Sequence, residues 1–348
     1  MAKAQQEEKK FQSENNVEIV GILEELEIRD KKKDGTPMQT KTGIPMMMAT
    51  LKIGVAEGET HRVDMMAMKH YPSKPNEVSG QWKAMETLKN EYISRKDTED
   101  SNSEHVGKTA NIVSVRGNLD ANVYVNQAGE TVENLRIQGR FVNRADNAKA
   151  EDFGATFTLS GFVKGNPVPE MKGEEETGRY LVDFRVVDYQ NKAIPVKLVA
   201  GQVEDEGEVI NVGEWVEENI EANQTMTFMG ELVNRYIVKE IPRANQAVGK
   251  KVVDTKRDVV RENVIEGGVV PVHFDEADEE TDKERVVFAD QIKESVANYE
   301  QFKAEQEAAS KNRASGGATK KTKGFAGGKS SKSAGASKPV VNDNDLPF

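Results

Sequence analysis

Two stretches of period-two alternation, each broken by helical spacing at the same point, most constrain what this 348-residue chain can fold into. Val17 to Arg29 carries apolar residues first at odd positions (Val17, Ile19, Leu23) and then at even ones (Leu26, Ile28). A phase switch inside an alternating run marks a bulge or bend, here close to Gly21. Lys31 to Thr42, with Asp34-Gly35, reads as a turn-rich loop. Alternation returns in Met46–Val55 and Thr60–Met68. Asn76–Lys96 then spaces Val78, Trp82, Met85, Leu88 and Tyr92 by threes and fours, which predicts a helix. Strands follow at Ala110–Arg116, Leu119–Val125 and Leu135–Val142, with a turn at Asn126–Gly129.

The order then recurs. Thr156–Lys164 repeats the first strand, with Gly161 near its centre. Arg179–Asp188 and Ala193–Ala200 are strands, Val212–Ile220 is a short helix, and Thr225–Leu232 is a fourth strand. Between Ile241 and Phe274 strands are placed only loosely, at Val252-Val253, Val259–Ile265 and Val269–Phe274. Short echoes accompany the repeat: Val-Ser-Val-Arg-Gly117-Asn-Leu119 against Thr-Phe-Met-Gly230-Glu-Leu232, and Phe141-Val-Asn-Arg144 beside Leu232-Val-Asn-Arg235. Three strands, a helix, then more strands is the order of an OB-fold. The expectation is a mainly β chain of two tandem OB-fold barrels, each with a helix between strands three and four. Its parts are a mobile arm over 1–15, barrels over 16–150 and 151–274, an acidic loop and helix over 275–310, a flexible basic linker over 311–341, and an acidic tip over 342–348. Ile292, Val296 and Tyr299 form the packing stripe of the late helix.

Charge is unevenly spread. Residues 1–150 hold 22 Lys/Arg against 23 Asp/Glu, residues 151–310 hold 18 against 34, and Lys311–Lys338 holds eight bases and no acid. The first third is therefore the globular surface least repulsive to a phosphate backbone. There is no Cys, which excludes disulfides and thiolate metal sites and suits a reducing cytoplasm. The polar start is not a signal peptide, and no run reaches membrane-spanning length.

Enzyme motifs fail on inspection. Gly327-Gly-Lys329-Ser330 imitates a phosphate-binding loop, but position 323 is Lys and no strand precedes it. Asp275-Glu-Ala-Asp278 lies in an acid run. The four His residues (His61, His70, His105, His273) lack metal-ligand spacing. No catalytic residue, metal or cofactor is expected.

The last residues, Asp343, Asp345, Leu346, Pro347 and Phe348, set two carboxylates before an apolar plug. Such a segment suits a partner with an apolar pocket and a basic rim. This ending resembles that of the bacterial and phage single-stranded DNA-binding proteins. The Val-Gly-x-Leu core of Val17–Arg29, Glu59-Thr-His-Arg-Val63, and Val-x-Gly-x-Leu within Lys108–Leu119 are similar to strands of that family. The resemblance implies a large phage-type version with two barrels. It would coat single-stranded DNA in replication, recombination and repair, in the cytoplasm (the bacterial host's, if phage-encoded), and recruit enzymes through the tip. Self-association stays open. The alternative is an OB-fold scaffold for protein or RNA.

Binding unpaired strands needs backbone-tracking charge and flat groups that stack on bases. Lys31, Lys33 and Lys41 lie on the first loop. Lys52 and Arg62 face away from the apolar sides of their strands, as do Arg136, Gln138 and Arg140. Arg116 and Tyr124 bracket strand four. Phe162 and Tyr189 are out of phase with Leu159 and Val182 and are the stacking candidates of the second barrel. Met46, Met48, Met66 and Met68 supply either flat contacts or core filling. Trp82, Trp215, Phe157, Tyr180 and Phe184 are expected in the core.

Overall fold

The computed structural model describes residues 10–126, 128–242 and 253–316. The first unit comprises β1 (Asn15–Arg29), β2 (Met46–Ala56), β3 (Glu59–Met68), α1 (Gly80–Glu91), α2 (Arg95–Glu99), β4 (Ile112–Val125) and β5 (Thr131–Arg144). β1 does the work of two strands: Val17–Ile22 pairs with β4 and Ile22–Arg29 with β2, with a register shift between Leu23 and Glu25. That shift is the phase switch of the sequence. β2 pairs with β3, β3 runs parallel to β5, and β5 pairs with β4, so the pairings return to β1 and close a ring. Ser79 caps α1: its Oγ accepts from the Trp82 N–H at 3.1 Å and donates to the Met68 carbonyl at 2.5 Å. Met85 and Leu88 then plug the ring's interior.

The second unit repeats the order. β6 (Gly154–Val163) pairs with β8 (Glu175–Val187), β8 with β9 (Ala193–Ala200), and β9 runs parallel to β13 (Val253–Gly268). β13 pairs with β12 (Gln224–Pro242), which returns to β6. Helix α3 (Val212–Asn219), capped by Asn211, buries Val212 and Val216 where α1 buries Met85 and Leu88. Three short strands are additions that alternation did not reveal: β7 (Val168–Lys172) on β8, and the hairpin of β10 (Gln202–Asp205) and β11 (Glu208–Asn211). β14 (Val272–His273) finishes the sheet beside β12.

The Gly117 and Gly230 echo has a structural meaning. Each sits at a register shift in the hairpin of its ring, between Arg116 and Gly117 and between Met229 and Gly230. A Cβ on Gly117 would lie 2.2 Å from the Gln138 carbonyl oxygen, and one on Gly230 would lie 1.9 Å from that of Val264. Only glycine lets the partner backbone come so near.

The rings are joined rather than strung apart. Asn15–Val20 pairs with Gly154–Leu159, and one hydrophobic cluster runs from Val17 and Leu51 through Phe157 to Phe228. The β2–β3 turn is clipped to β12: Tyr236 N–H donates to the Gly58 carbonyl at 2.9 Å, and Asn234 N–H to Glu59 Oε1 at 2.9 Å. Helix α4 (Ala289–Gly316) lies over both. Its Ile292 and Val296 pack on the cluster of Phe162, Val187 and Ala193, and its Tyr299 packs beside Ala121 and Ile194. The Tyr299 hydroxyl donates to Glu133 at 2.6 Å, and Lys303 pairs with Glu133 at 3.0 Å.

Two expectations are corrected here. The arm is not free over its described part: Phe11 is buried beside Phe162, and Ser13 N–H donates to the Val187 carbonyl at 3.0 Å. Trp215 is exposed, because the helix carrying it is short and turns only its Val212 and Val216 edge inward. Among the described residues no helix is long and apolar enough to cross a membrane.

Candidate nucleic-acid interface

The outward face of β2 and β3 is built by register. Met48 lies opposite Met66, Met46 opposite Met68, and Lys52 opposite Arg62. Met66 is exposed and Met46, Met48 and Met68 are half-buried, so these methionines form a surface strip and not core filling. The parallel pairing of Asp64 with Gln138 extends the face onto β5.

Charge on this face is largely neutralised within the chain. Glu25 takes both Lys52 and Lys96, which together hold its carboxyl below the ordinary range. Arg62 pairs with Asp64 at 3.0 Å, Arg116 with Glu18 at 3.2 Å, and Arg136 with Asp120 at 2.7 Å. Arg140 instead donates to Asn118 Oδ1 at 2.8 Å. Lys31, Lys33 and Lys41 are exposed on the β1–β2 loop, which is held by bridges from Lys31 to Pro37 and from Gln39 to Pro45.

The aromatic candidates change places. Phe162 is fully buried at 0% exposure and cannot stack on a base. Its strand phase is as expected, but Phe11, Val287 and α4 cover the face it points to. Tyr189 is 75% exposed in the tight turn after β8, off the strand face. Phe141 was missed. Counting by twos from Leu135 and Ile137 puts it inside, yet it is 63% exposed, because the register shift opposite Gly117 adds a residue and turns it outward. It lies directly across from Arg116, and Arg140 precedes it. The signal was available in the Gly117 and Gly139 pair, since glycine within alternation marks a bulge.

Arg62, Tyr124 and Arg136 open onto a cleft of about 1110 Å³ between the rings, whose far side is formed by β8, β9, β12 and β13 and whose end is formed by α4. His61 lines it. Burial pushes the imidazole pKa down, and its Nε2 has no hydrogen-bond partner. No group of three or more metal-ligating side chains occurs among the described residues. Asp343, Asp345, Leu346, Pro347 and Phe348 lie outside the described residues.

No curated protein matches this chain. Two solved structures of the single-stranded DNA-binding protein from Thermus aquaticus are similar to it. The wild type is 12% identical with a TM-score of 0.42, covering 78% of this chain and 99% of that one. A deletion mutant is 13% identical with a TM-score of 0.41, covering 75% and 96%. The family described as YorF matches residues 13–309, most of the length, and the chain belongs to that family.

Proposed function

We propose that this chain binds single-stranded DNA without sequence preference, as a non-enzymatic coating protein. Both rings are taken as OB-fold barrels, spanning residues 16–150 and 151–274. The support for that reading is the pairing order, first-second-third-fifth-fourth-first, with a helix after the third strand in each. The observation that carries the function is the exposed Phe141 ring set across from Arg116 and beside Arg140. A ring that can stack on a base beside guanidinium groups that can hold phosphate is the minimal platform for an unpaired strand. The tip residues Asp343, Asp345, Leu346, Pro347 and Phe348 are assigned to recruiting enzymes of replication, recombination and repair, in the cytoplasm of a bacterial host.

Intrinsic fluorescence on addition of poly(dT), followed across a salt series, tests this. Tight, salt-sensitive binding with preference over duplex is expected. Phe141→Ala should weaken it by about 1–3 kcal/mol, and removal of residues 342–348 should abolish capture of a polymerase or helicase without weakening DNA binding. A protein- or RNA-binding scaffold is the second reading. The ion pairs at Lys52, Arg62, Arg116 and Arg136 favour its protein-binding form, because a phosphate of DNA or RNA must displace a carboxylate at each. Equal affinity for duplex and single strand would decide for it.

A further inference from the structure

We propose that the cleft between the rings is itself a binding site for single-stranded DNA. In it, Lys164, Lys197 and Arg261 of the second ring hold the phosphates of a strand that Arg62, Tyr124 and Arg136 touch from the first. This rests on the single-strand reading above and extends it to a site that neither ring makes alone.

Charge is the first argument. Four basic residues of the first ring are already neutralised by carboxylates, whereas Lys164, Lys197 and Arg261 are exposed and form no ion pair among the described residues. Arg261 donates instead to the neutral Asn234 Oδ1 at 3.2 Å. Several carboxylates on the walls are occupied by their own partners: Glu133 by Tyr299 and Lys303, Asp183 by Arg185, and Glu262 by Arg179. A phosphate entering here therefore meets uncommitted positive charge, and the walls focus its field. The second argument is His61, which lines the cleft; its side chain is only 3% exposed, and its buried Nε2, 3.7 Å from Glu59 Oε1, has no hydrogen-bond partner. An unsatisfied polar atom this close behind the wall marks a place that calls for explanation. Size is the third. At about 1110 Å³ the cleft exceeds the roughly 300–1,000 Å³ of small-ligand sites, and Tyr124 offers a flat ring for a base.

The test uses the full chain with Lys164→Gln, Lys197→Gln and Arg261→Gln combined, titrated with oligo(dT) of increasing length across a salt series. The expected result is a salt slope shallower by about 0.7 for each lost phosphate contact, fewer nucleotides covered per chain, and an unchanged melting temperature. An unchanged slope and site size would overturn the cleft while leaving the first-ring reading intact. Failure of the unaltered chain to bind poly(dT) at all would overturn both. Should the triple variant not fold, oligo(dT) carrying 5-iodouracil decides on the unaltered chain. Cross-links at Tyr124 support the site, and cross-links confined to the Phe141 side overturn it.

Discussion

The two rings share a backbone and differ in what covers them. In the first, the bulge at Gly117 throws Phe141 out into solvent opposite Arg116. In the second, the corresponding bulge at Gly230 lies in a hairpin that runs on to Pro242, and the outward face of β6 is roofed by α4 and the residues around Phe11. The same strand order thus presents a stacking surface in one ring and a second hydrophobic layer in the other. A fold repeated within one chain need not repeat its function, because function lies in the outer layer that each copy keeps open.

The sharpest way to break this comparison is to truncate the two phenylalanines that trade roles. Phe162→Ala removes a fully buried ring and should destabilise the chain by about 3–5 kcal/mol in urea unfolding, with DNA affinity per folded molecule unchanged. Phe141→Ala should leave stability nearly untouched. A stability loss at position 141 equal to that at position 162 would mean that both rings are covered alike.

That pair also shows what was legible in the residues. Alternation located most ring strands, though β13 only loosely and β12 only as far as Leu232, because inward residues such as Leu51, Val63, Phe184 and Val196 are buried on one face only of a curved sheet, while spacing by threes and fours located helix α1. It also gave Phe162 the right face. It could not tell that this face meets α4 and not water, because that contact joins residues more than a hundred positions apart. Nor could it follow phase through a bulge, which is why nothing singled out Phe141. The ion pairs at Arg116 and Arg136 were hidden for a related reason. Glu18 is 98 positions from Arg116, and Asp120 meets Arg136 only through the β4–β5 register.

If the rings use one device twice, Gly117→Ala and Gly230→Ala should cost alike. Each puts a methyl group against a carbonyl oxygen of the partner strand and should destabilise by about 1–3 kcal/mol. Because the core is continuous between the rings, each variant should still unfold in a single transition. Two separate transitions in either variant would show that the rings are energetically independent.

Tyr299 tests what roofs the second ring and ties it to the first. Its hydroxyl donates to Glu133, and burial together with that bond raises the phenol pKa. Tyr299→Phe keeps the ring between Ala121 and Ile194 and removes the bond, for a loss of about 1 kcal/mol. Faster hydrogen exchange over residues 289–302 is the expected signature. Unchanged exchange there would make the apolar stripe alone responsible for holding the helix.

The smallest effect belongs to His61, at the seam where β3 meets β12. Burial lowers its pKa from 6.5, so the folded chain keeps the imidazole neutral while the unfolded chain takes up a proton. Glu59, 3.7 Å away, opposes the shift without cancelling it. The unfolded state therefore binds more protons in this range, and stability falls as pH drops from 6.5 toward the lowered folded value. His61→Gln should flatten that limb of the stability–pH curve by up to one proton. An identical slope in the variant would place the acid sensitivity elsewhere. Occupation of the cleft should alter the limb too: a phosphate near the imidazole favours its charged form and raises the folded pKa toward 6.5, so the fall in stability becomes smaller and ends at a higher pH.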